Sequence, residues 1–479
     1  MNNRELTYFP SNYAFQAVIA YISALLIIAI RFSAYVMLWY WWLFGIVGVL
    51  GFFYGANKLT KLWGVYTERL FKKQLFWTAL AIRVIMVLFL YWFFTQLSDK
   101  PPFMFGAADS EGYHDEAVWM AQTIRDGQFS TYLQYKFVAN NGISDAGYPM
   151  YLGFIYWLTG DSILIARLVK AIWSALTCVL IYKLGSRNFG ESVGRMAGIF
   201  VMLEPHYIIY SGLHLKETEM IFLLVLFLER ADNLIRSREF RVGTIAPVFL
   251  LAASLFFFRT VLGLAAIFAF IMALLLSSQK VANLGRRWMV LILFVLCAGY
   301  FVGGRVLSEV EYAWEGRHTN QESRYGVIRQ SQSLAKYATK TVLAPMIFTI
   351  PFPTMVETPG QENHRMHHAG NVVKNIMSLF VIIALILLLF DKSPTSGWRN
   401  NVLLGAYLIA YLIIIVQSAF MHVDRFHLPA YIIELLFAAY GLSQMPRIKY
   451  KKLYTYWCVL MFIAWVAWAW FKLSGRGLD

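Results

Sequence analysis

Residues 244–277 read TIAPVFLLAASLFFFRTVLGLAAIFAFIMALLLS, and Arg259 is the one charged residue among them. A single bilayer crossing takes about 20 mostly apolar residues. This run is longer, so it reads as two short spans, 244–258 and 261–277, or as a broken or re-entrant pair, with Arg259 at an outer helix end. Eleven more apolar runs flank it: 14–30, 34–53, 75–94, 163–184, 193–211, 213–228, 288–302, 372–390, 402–419, 428–443 and 455–471.

The whole chain fits that reading. Of its 479 residues 59% are hydrophobic and 14% charged, where a soluble protein carries roughly 25% charged residues. Mean hydropathy is +0.55. Excess apolar surface on this scale needs lipid to cover it. Aromatics reach 17%, with 16 Trp, which suits the two membrane–water interfaces. The expected fold is an all-α polytopic membrane protein with about 13 spans. The first run follows a polar start, lacks a small-residue cleavage site and is followed at once by the second. The pair therefore reads as a helical hairpin rather than a signal peptide. Cys178, Cys297 and Cys458 all lie inside apolar runs, where they read as small buried hydrophobes.

Loop charges orient the chain. Lys58, Lys61, Arg69, Lys72 and Lys73 fall on one side with Lys183, Arg187, Arg195, Arg230, Arg236, Arg238 and Arg241. Lys280, Arg286, Arg287, Arg447, Lys449, Lys451 and Lys452 fall there too, and the positive-inside rule makes that side cytoplasmic. The net charge of +15 is thus spent on orientation. No basic, aromatic-interleaved soluble domain accompanies it, so nucleic acid is not an expected partner. Two long segments fall outside: an acidic one at 98–148, and a mixed one at about 303–370. Four parts follow: a hairpin with a basic connector (1–74), a transmembrane core with the first external loop (75–302), the second external loop (303–371) and C-terminal helices (372–479).

The first loop contains GAADSEGYHDEA, residues 106–117, and Ala117, Met120, Ala121 and Ile124 recur at helical spacing. This predicts an amphipathic helix on the membrane surface that ends at Asp126-Gly127. Ser110 or Asp109 would be its N-cap. A carboxylate there faces backbone N–H groups and the positive end of the helix dipole, which stabilise negative charge. Such a group can take a proton from an acceptor hydroxyl, for roughly 10²–10⁴-fold in rate. From spacing alone, helix cap and general base both remain open.

The order of motifs goes further. It runs from Asp109 to Ala117, through Asp145-Ala-Gly-Tyr-Pro149, Arg167, and Tyr182 to Gly190, to Glu204-Pro-His-Tyr207, Ser211 and Lys216-Glu217. Arg259 and Asp424-Arg-Phe-His-Leu-Pro429 complete it. This series resembles the GT-C glycosyltransferases, and is similar to the protein O-mannosyltransferase-like and aminoarabinose-transferase-like group, over about residues 75–443. The resemblance implies a GT-C-like helix bundle that takes a sugar from a polyprenyl phosphate, with the Asp of the first external loop, here Asp109, as catalytic base. The first two spans stand outside it, and the second long loop has no matching motif.

A lipid-phosphate leaving group gathers negative charge in the transition state, and cations near the membrane surface stabilise it. Arg259, Arg425, Lys216 and His427 are the expected phosphate ligands; Glu217, Tyr113, His114 and His214 are expected to bind substrate. The plainer alternatives are snorkelling, or pairing of Arg425 with its neighbour Asp424. Glu204 before Pro205 reads as a local structural break. His364, His367 and His368 lack the spacing of a closed zinc site. A divalent metal on Asp109, Glu111 and Asp115 stays possible, and Asp115-Glu116 reads as a solvated helix face. No firm cofactor is predicted apart from the lipid-linked sugar donor. The expected partners are that donor, membrane lipids, and a glycan, lipid or protein acceptor.

The leading expectation is an inverting glycosyltransferase in the inner (cell) membrane with its site on the extracytoplasmic, periplasmic side. Alternatives are a polymerase or ligase for glycans on a lipid pyrophosphate and, further off, a transporter or flippase. The transporter is disfavoured because no halves repeat and the notable charges sit at one face rather than mid-membrane.

Overall fold

The computed structural model describes residues 5–106, 108–139, 144–237, 242–276, 346–390, 397–417, 423–448 and 450–474. Among them the regular structure is entirely helical. The helices are α1 (Ser11–Arg31), α2 (Trp39–Leu62), α3 (Glu68–Leu97), α4 (Ala108–Arg125), α5 (Phe129–Gln134) and α6 (Gly147–Thr159). They continue with α7 (Ile163–Phe189), α8 (Glu191–Leu203), α9 (Pro205–Gly212), α10 (Glu217–Arg236), α11 (Val242–Phe258) and α12 (Thr260–Leu276). Last come α13 (Glu362–Met366), α14 (His368–Phe390), α15 (Val402–Gln417), α16 (Asp424–Gln444) and α17 (Leu453–Ser474).

Seven stretches are long and apolar enough to cross a membrane: α1, Trp39–Val65, α3, α7, α14, Asp424–Arg447 and α17. Shorter apolar helices occupy Val242–Phe258, Thr260–Leu276 and Val402–Val416. The chain is an α-helical membrane protein. The expected span at 288–302 and most of the loop at 303–371 lie outside the described residues.

Several helix limits differ from the expected runs. α2 begins later than 34–53, after a separate short turn at Ser33–Tyr35, and ends later because its polar last turns find partners: Asn57 donates to Phe9 O at 2.6 Å and Thr60 Oγ1 accepts from Phe9 N at 3.0 Å. The run 193–211 is two helices. Pro205 has no N–H for a continuous helix, so the chain breaks between α8 and α9. Both buried helix ends at the break are answered by buried charges. Glu204 accepts from the backbone N–H of His206 at 3.1 Å and of Tyr207 at 2.6 Å. Arg83 of α3, fully buried, donates to Met202 O at 2.7 Å, Val201 O at 3.1 Å and Ser174 Oγ at 2.8 Å. A cation at the C-terminus and an anion at the N-terminus each oppose a half-helix dipole.

These residues also correct the expectation that notable charges keep to one face. Arg83, Lys374 and Glu434 are all buried along membrane-length helices.

Around α16, the most enclosed of the long helices, the others assemble. α14 crosses it so closely at Gly441 that a Cβ there would lie 1.9 Å from Phe380 O. Without a hydrophobic drive between helices in lipid, small residues that allow close approach hold the pair together.

Contacts sort the helix ends into two groups. At one end Arg195 donates to Trp63 O at 3.0 Å, Arg236 to Asn400 O at 3.0 Å, and Leu6 N to Ser443 O at 3.0 Å. At the other end Asn363 donates to Phe105 O at 2.8 Å, Lys472 to Thr354 at 2.9 Å, and Asp109 meets Arg425. The described basic connectors share the first end, and α4 lies at the second.

Candidate active site at the α4 end of the bundle

α4 follows the predicted amphipathic pattern: Ala117, Met120 and Ala121 are buried, and Gly127 leaves it at φ +71. Its start differs from expectation. The helix begins at Ala108, which puts Asp109 and Ser110 in the first turn rather than at the N-cap. The buried face packs on α6 so tightly that a Cβ on Gly153 would approach Met120 Sδ to 2.7 Å. Held this way, the N-terminal half of α4 reaches Arg425 at the start of α16 through Asp109, and Lys216 just before α10 through Tyr113.

Asp109 meets Arg425, at the start of α16, with 2.5 Å between Oδ2 and Nη1. Arg425 does not pair with its neighbour Asp424, whose carboxylate turns inward to Asn371 at 3.0 Å and His364 at 3.5 Å. Arg259, between α11 and α12, lies over the Phe426 ring at 4.4 Å; Arg425 lies over the same ring at 5.1 Å. Tyr411 donates to Phe426 O at 3.1 Å, and Arg259 Nη1 is buried without a partner. Lys216 contacts Asp145, donates to Phe258 O at the end of α11 at 3.1 Å, and lies 5.9 Å from the Tyr113 ring centre. Glu217, almost fully buried at the start of α10, has Oε2 without a hydrogen-bond partner.

Tyr113 registers how these groups converge. Burial pushes its hydroxyl far above the usual phenol range; the negative fields of Glu217 and Asp109 add to this, while Arg259 and Arg425 oppose it. Five of the expected residues, together with Tyr113 itself, therefore occupy one place: Asp109, Arg259, Arg425, Lys216 and Glu217.

The other three sit elsewhere. His114 is 2.9 Å from the Tyr156 hydroxyl, which is 3.3 Å from His214, and the Phe103 ring lies 5.6 and 5.7 Å from their two rings. Burial holds His114 below the ordinary histidine value. His427 is buried under the site, where its Nδ1 lies 2.8 Å from Lys374 Nζ. One turn along α16 from Asp424, its ring meets α14 through Lys374.

The metal candidates separate as well. Glu111 is drawn to Lys100 at 2.6 Å, away from Asp109. Glu116 is no solvated face, since it pairs with Lys136 at 2.7 Å and accepts from Tyr132 at 2.8 Å. His364 faces Asp424, His367 stacks on Tyr210 at 4.7 Å, and His368 is 2.9 Å from the Tyr21 hydroxyl. Among the described residues no group of three or more His, Cys, Asp or Glu is gathered to hold a metal ion.

Sequence reasoning missed Asp145, Tyr411 and Phe426 as parts of this site. Asp145 carried a signal, as an acidic residue just before Gly-Tyr-Pro; its φ of +66 is one that Asp tolerates better than most residues. Tyr411 carried none, being one aromatic in an apolar run.

The site can neutralise and exchange anions. Arg259, Arg425 and Lys216 face Asp109, Asp145 and Glu217, so an arriving anion must compete with carboxylates already present. Asp109 and Arg425 keep partial exposure, 49% and 28% of their side chains, and are the pair that can open. No protein family model matches the chain, and no curated protein matches it.

Proposed function

We propose that this chain is an inverting glycosyltransferase that moves a sugar from a polyprenyl phosphate to an acceptor hydroxyl. In this reading it crosses the membrane thirteen times as a GT-C-like bundle. The α4 end lies on the extracytoplasmic side of the cell membrane, away from the basic connectors.

The observation that supports this is the Asp109–Arg425 pair beside Arg259 and Lys216. A carboxylate that can accept a proton and cations that suit a phosphate stand next to each other at a helix-end surface. Without donor, Arg425 and Asp109 neutralise each other. A donor phosphate takes Arg425, joins the unpartnered Nη1 of Arg259, and leaves Asp109 free to accept the acceptor's proton. The bond from the sugar to the phosphate oxygen breaks as the acceptor oxygen attacks the opposite face, and the lipid phosphate departs with its charge held by the cations. Tyr113 and Glu217 border the space in which the sugar would sit.

The test is transfer from radiolabelled polyprenyl-phosphate sugars by purified protein in lipid nanodiscs. Label moved to an acceptor supports the reading. Intact donor after prolonged incubation with every sugar and acceptor class removes it.

A further inference from the structure

Among the described residues, three arginines are in the group of largest fully buried side chains: Arg83, Arg167 and Arg365. A guanidinium cannot lose its proton at working pH, so its burial requires compensation. Arg83 has it from two main-chain carbonyls and Ser174. Arg365 has it from Glu357 at 2.7 Å, Glu362 at 3.2 Å and Thr358 O at 2.6 Å. Arg167 does not. It donates one bond, from Nη2 to Pro102 O at 2.9 Å, and lies 5.8 Å from the Tyr91 ring; Nε and Nη1 are buried with no acceptor.

Among the described residues no carboxylate lies within ion-pair distance of Arg167. Glu219 pairs with Lys170 at 3.5 Å, with neither carboxylate oxygen accepting a hydrogen bond, and Lys170 donates to the Tyr148 hydroxyl at 3.1 Å, to Leu213 O at 2.8 Å and to Leu215 O. His214, which shares the neighbours Tyr148 and Tyr156 with Arg167, presents a buried Nδ1 without a partner. Unmet donor capacity on Arg167, with a second unmet nitrogen close by, describes a place prepared for an anion.

Its position narrows the anion. Arg167 sits on the second turn of α7, near the surface that carries α4, and is roofed by residues 100–103. Lipid phosphates gather at the ends of membrane-crossing helices, and Arg167 is near such an end of α7. The segment is held by the buried Phe103, whose ring lies 5.6 and 5.7 Å from those of His114 and His214, and by an exposed Lys100–Glu111 ion pair at 2.6 Å, a type of contact worth little in water.

We infer that Arg167, with His214, forms a second anion subsite that takes a phosphate group beneath the 100–103 segment, separate from the Arg259–Arg425 cluster. The subsite does not depend on sugar transfer. If the transferase reading holds, it gives the enzyme somewhere to hold a phosphate carried by the acceptor, or by a neighbouring lipid, while the donor occupies the first cluster.

The test uses the full chain carrying Arg259→Gln and Arg425→Gln, so that the first cluster no longer binds phosphate. Thermal unfolding is followed in phosphatidylcholine nanodiscs with increasing inorganic phosphate, and in nanodiscs that contain phosphatidic acid. A saturable rise in the unfolding midpoint is expected in at least one arm. A rise only with phosphatidic acid assigns the site to a lipid phosphate; a rise with inorganic phosphate assigns it to a free group. Adding Arg167→Gln should abolish the rise. Should that variant not fold, Arg167→Lys should weaken half-saturation by about tenfold or more, the loss of one to two charge-assisted bonds. No rise in either arm would mean that the site holds water only, and a rise untouched by both Arg167 substitutions would place the anion elsewhere; either result overturns the inference.

Discussion

Replacing Arg83 with Met tests how the broken α8–α9 helix is held open. Met keeps most of the side-chain volume and removes every donor. Val201 O and Met202 O then lose their 3.1 and 2.7 Å bonds, in a place that lipid and packed helices keep dry. Each orphaned buried acceptor costs about 1–3 kcal/mol. In the other direction, Met relieves the cost of burying a guanidinium, which limits the total. Breaking a buried charged network by removing one member typically costs about 3–5 kcal/mol, so a net loss of about 2–4 kcal/mol is expected. Arg83→Lys keeps the charge and one bond, and should fall between the two. The assay is thermal unfolding of purified protein in nanodiscs, with the expected order wild type, Arg83→Lys, Arg83→Met. Equal midpoints for wild type and Arg83→Met would refute the argument, and with it the claim that the break needs a buried cation.

Other outcomes follow from the same contacts. Gly441→Ala puts a methyl group against Phe380 O and should force α14 from α16, lowering stability by about 1–3 kcal/mol; an unchanged midpoint would show that the crossing can relax. His427→Gln should leave the donor KM within about twofold, because its ring faces Lys374, whereas Arg425→Gln should raise that KM about tenfold or more; similar effects from both would return His427 to the phosphate site. His114 is held below its ordinary value by burial, so the unfolded chain binds its proton more readily than the folded one. The stability this supplies is complete above about pH 6.5 and is lost as pH falls toward the depressed folded value. His114→Gln should therefore flatten stability against pH below 6.5, and parallel curves for the two proteins would contradict the burial argument.

The membrane fold was legible because an apolar run of 15 to 30 residues has few other uses. Turn and break chemistry was partly legible: Pro205 sits where α8 gives way to α9, and Gly127 follows the last turn of α4. Long-range pairing was not. Arg83 looks like an interruption in an apolar run, and nothing beside it in sequence names the carbonyls it serves. Asp109 and Arg425 are 316 positions apart, and the nearer carboxylate at 424 was the more obvious partner. Only packing of α14 against α16 turns Asp424 inward to Asn371 and leaves Arg425 for α4. The contact of His427 with Lys374 was hidden for the same reason, since the face of α16 that it occupies is set by helices distant in sequence.

The central claim is that Asp109 does chemistry while Arg425 holds the donor. Turnover and donor binding of Asp109→Asn, measured side by side on one nanodisc preparation, test it most directly. The account predicts that kcat falls by about 10²–10⁴-fold while donor affinity stays the same or tightens, because Arg425 is released from its carboxylate. Wild-type turnover in Asp109→Asn, or lost activity explained entirely by weaker donor binding, would contradict it.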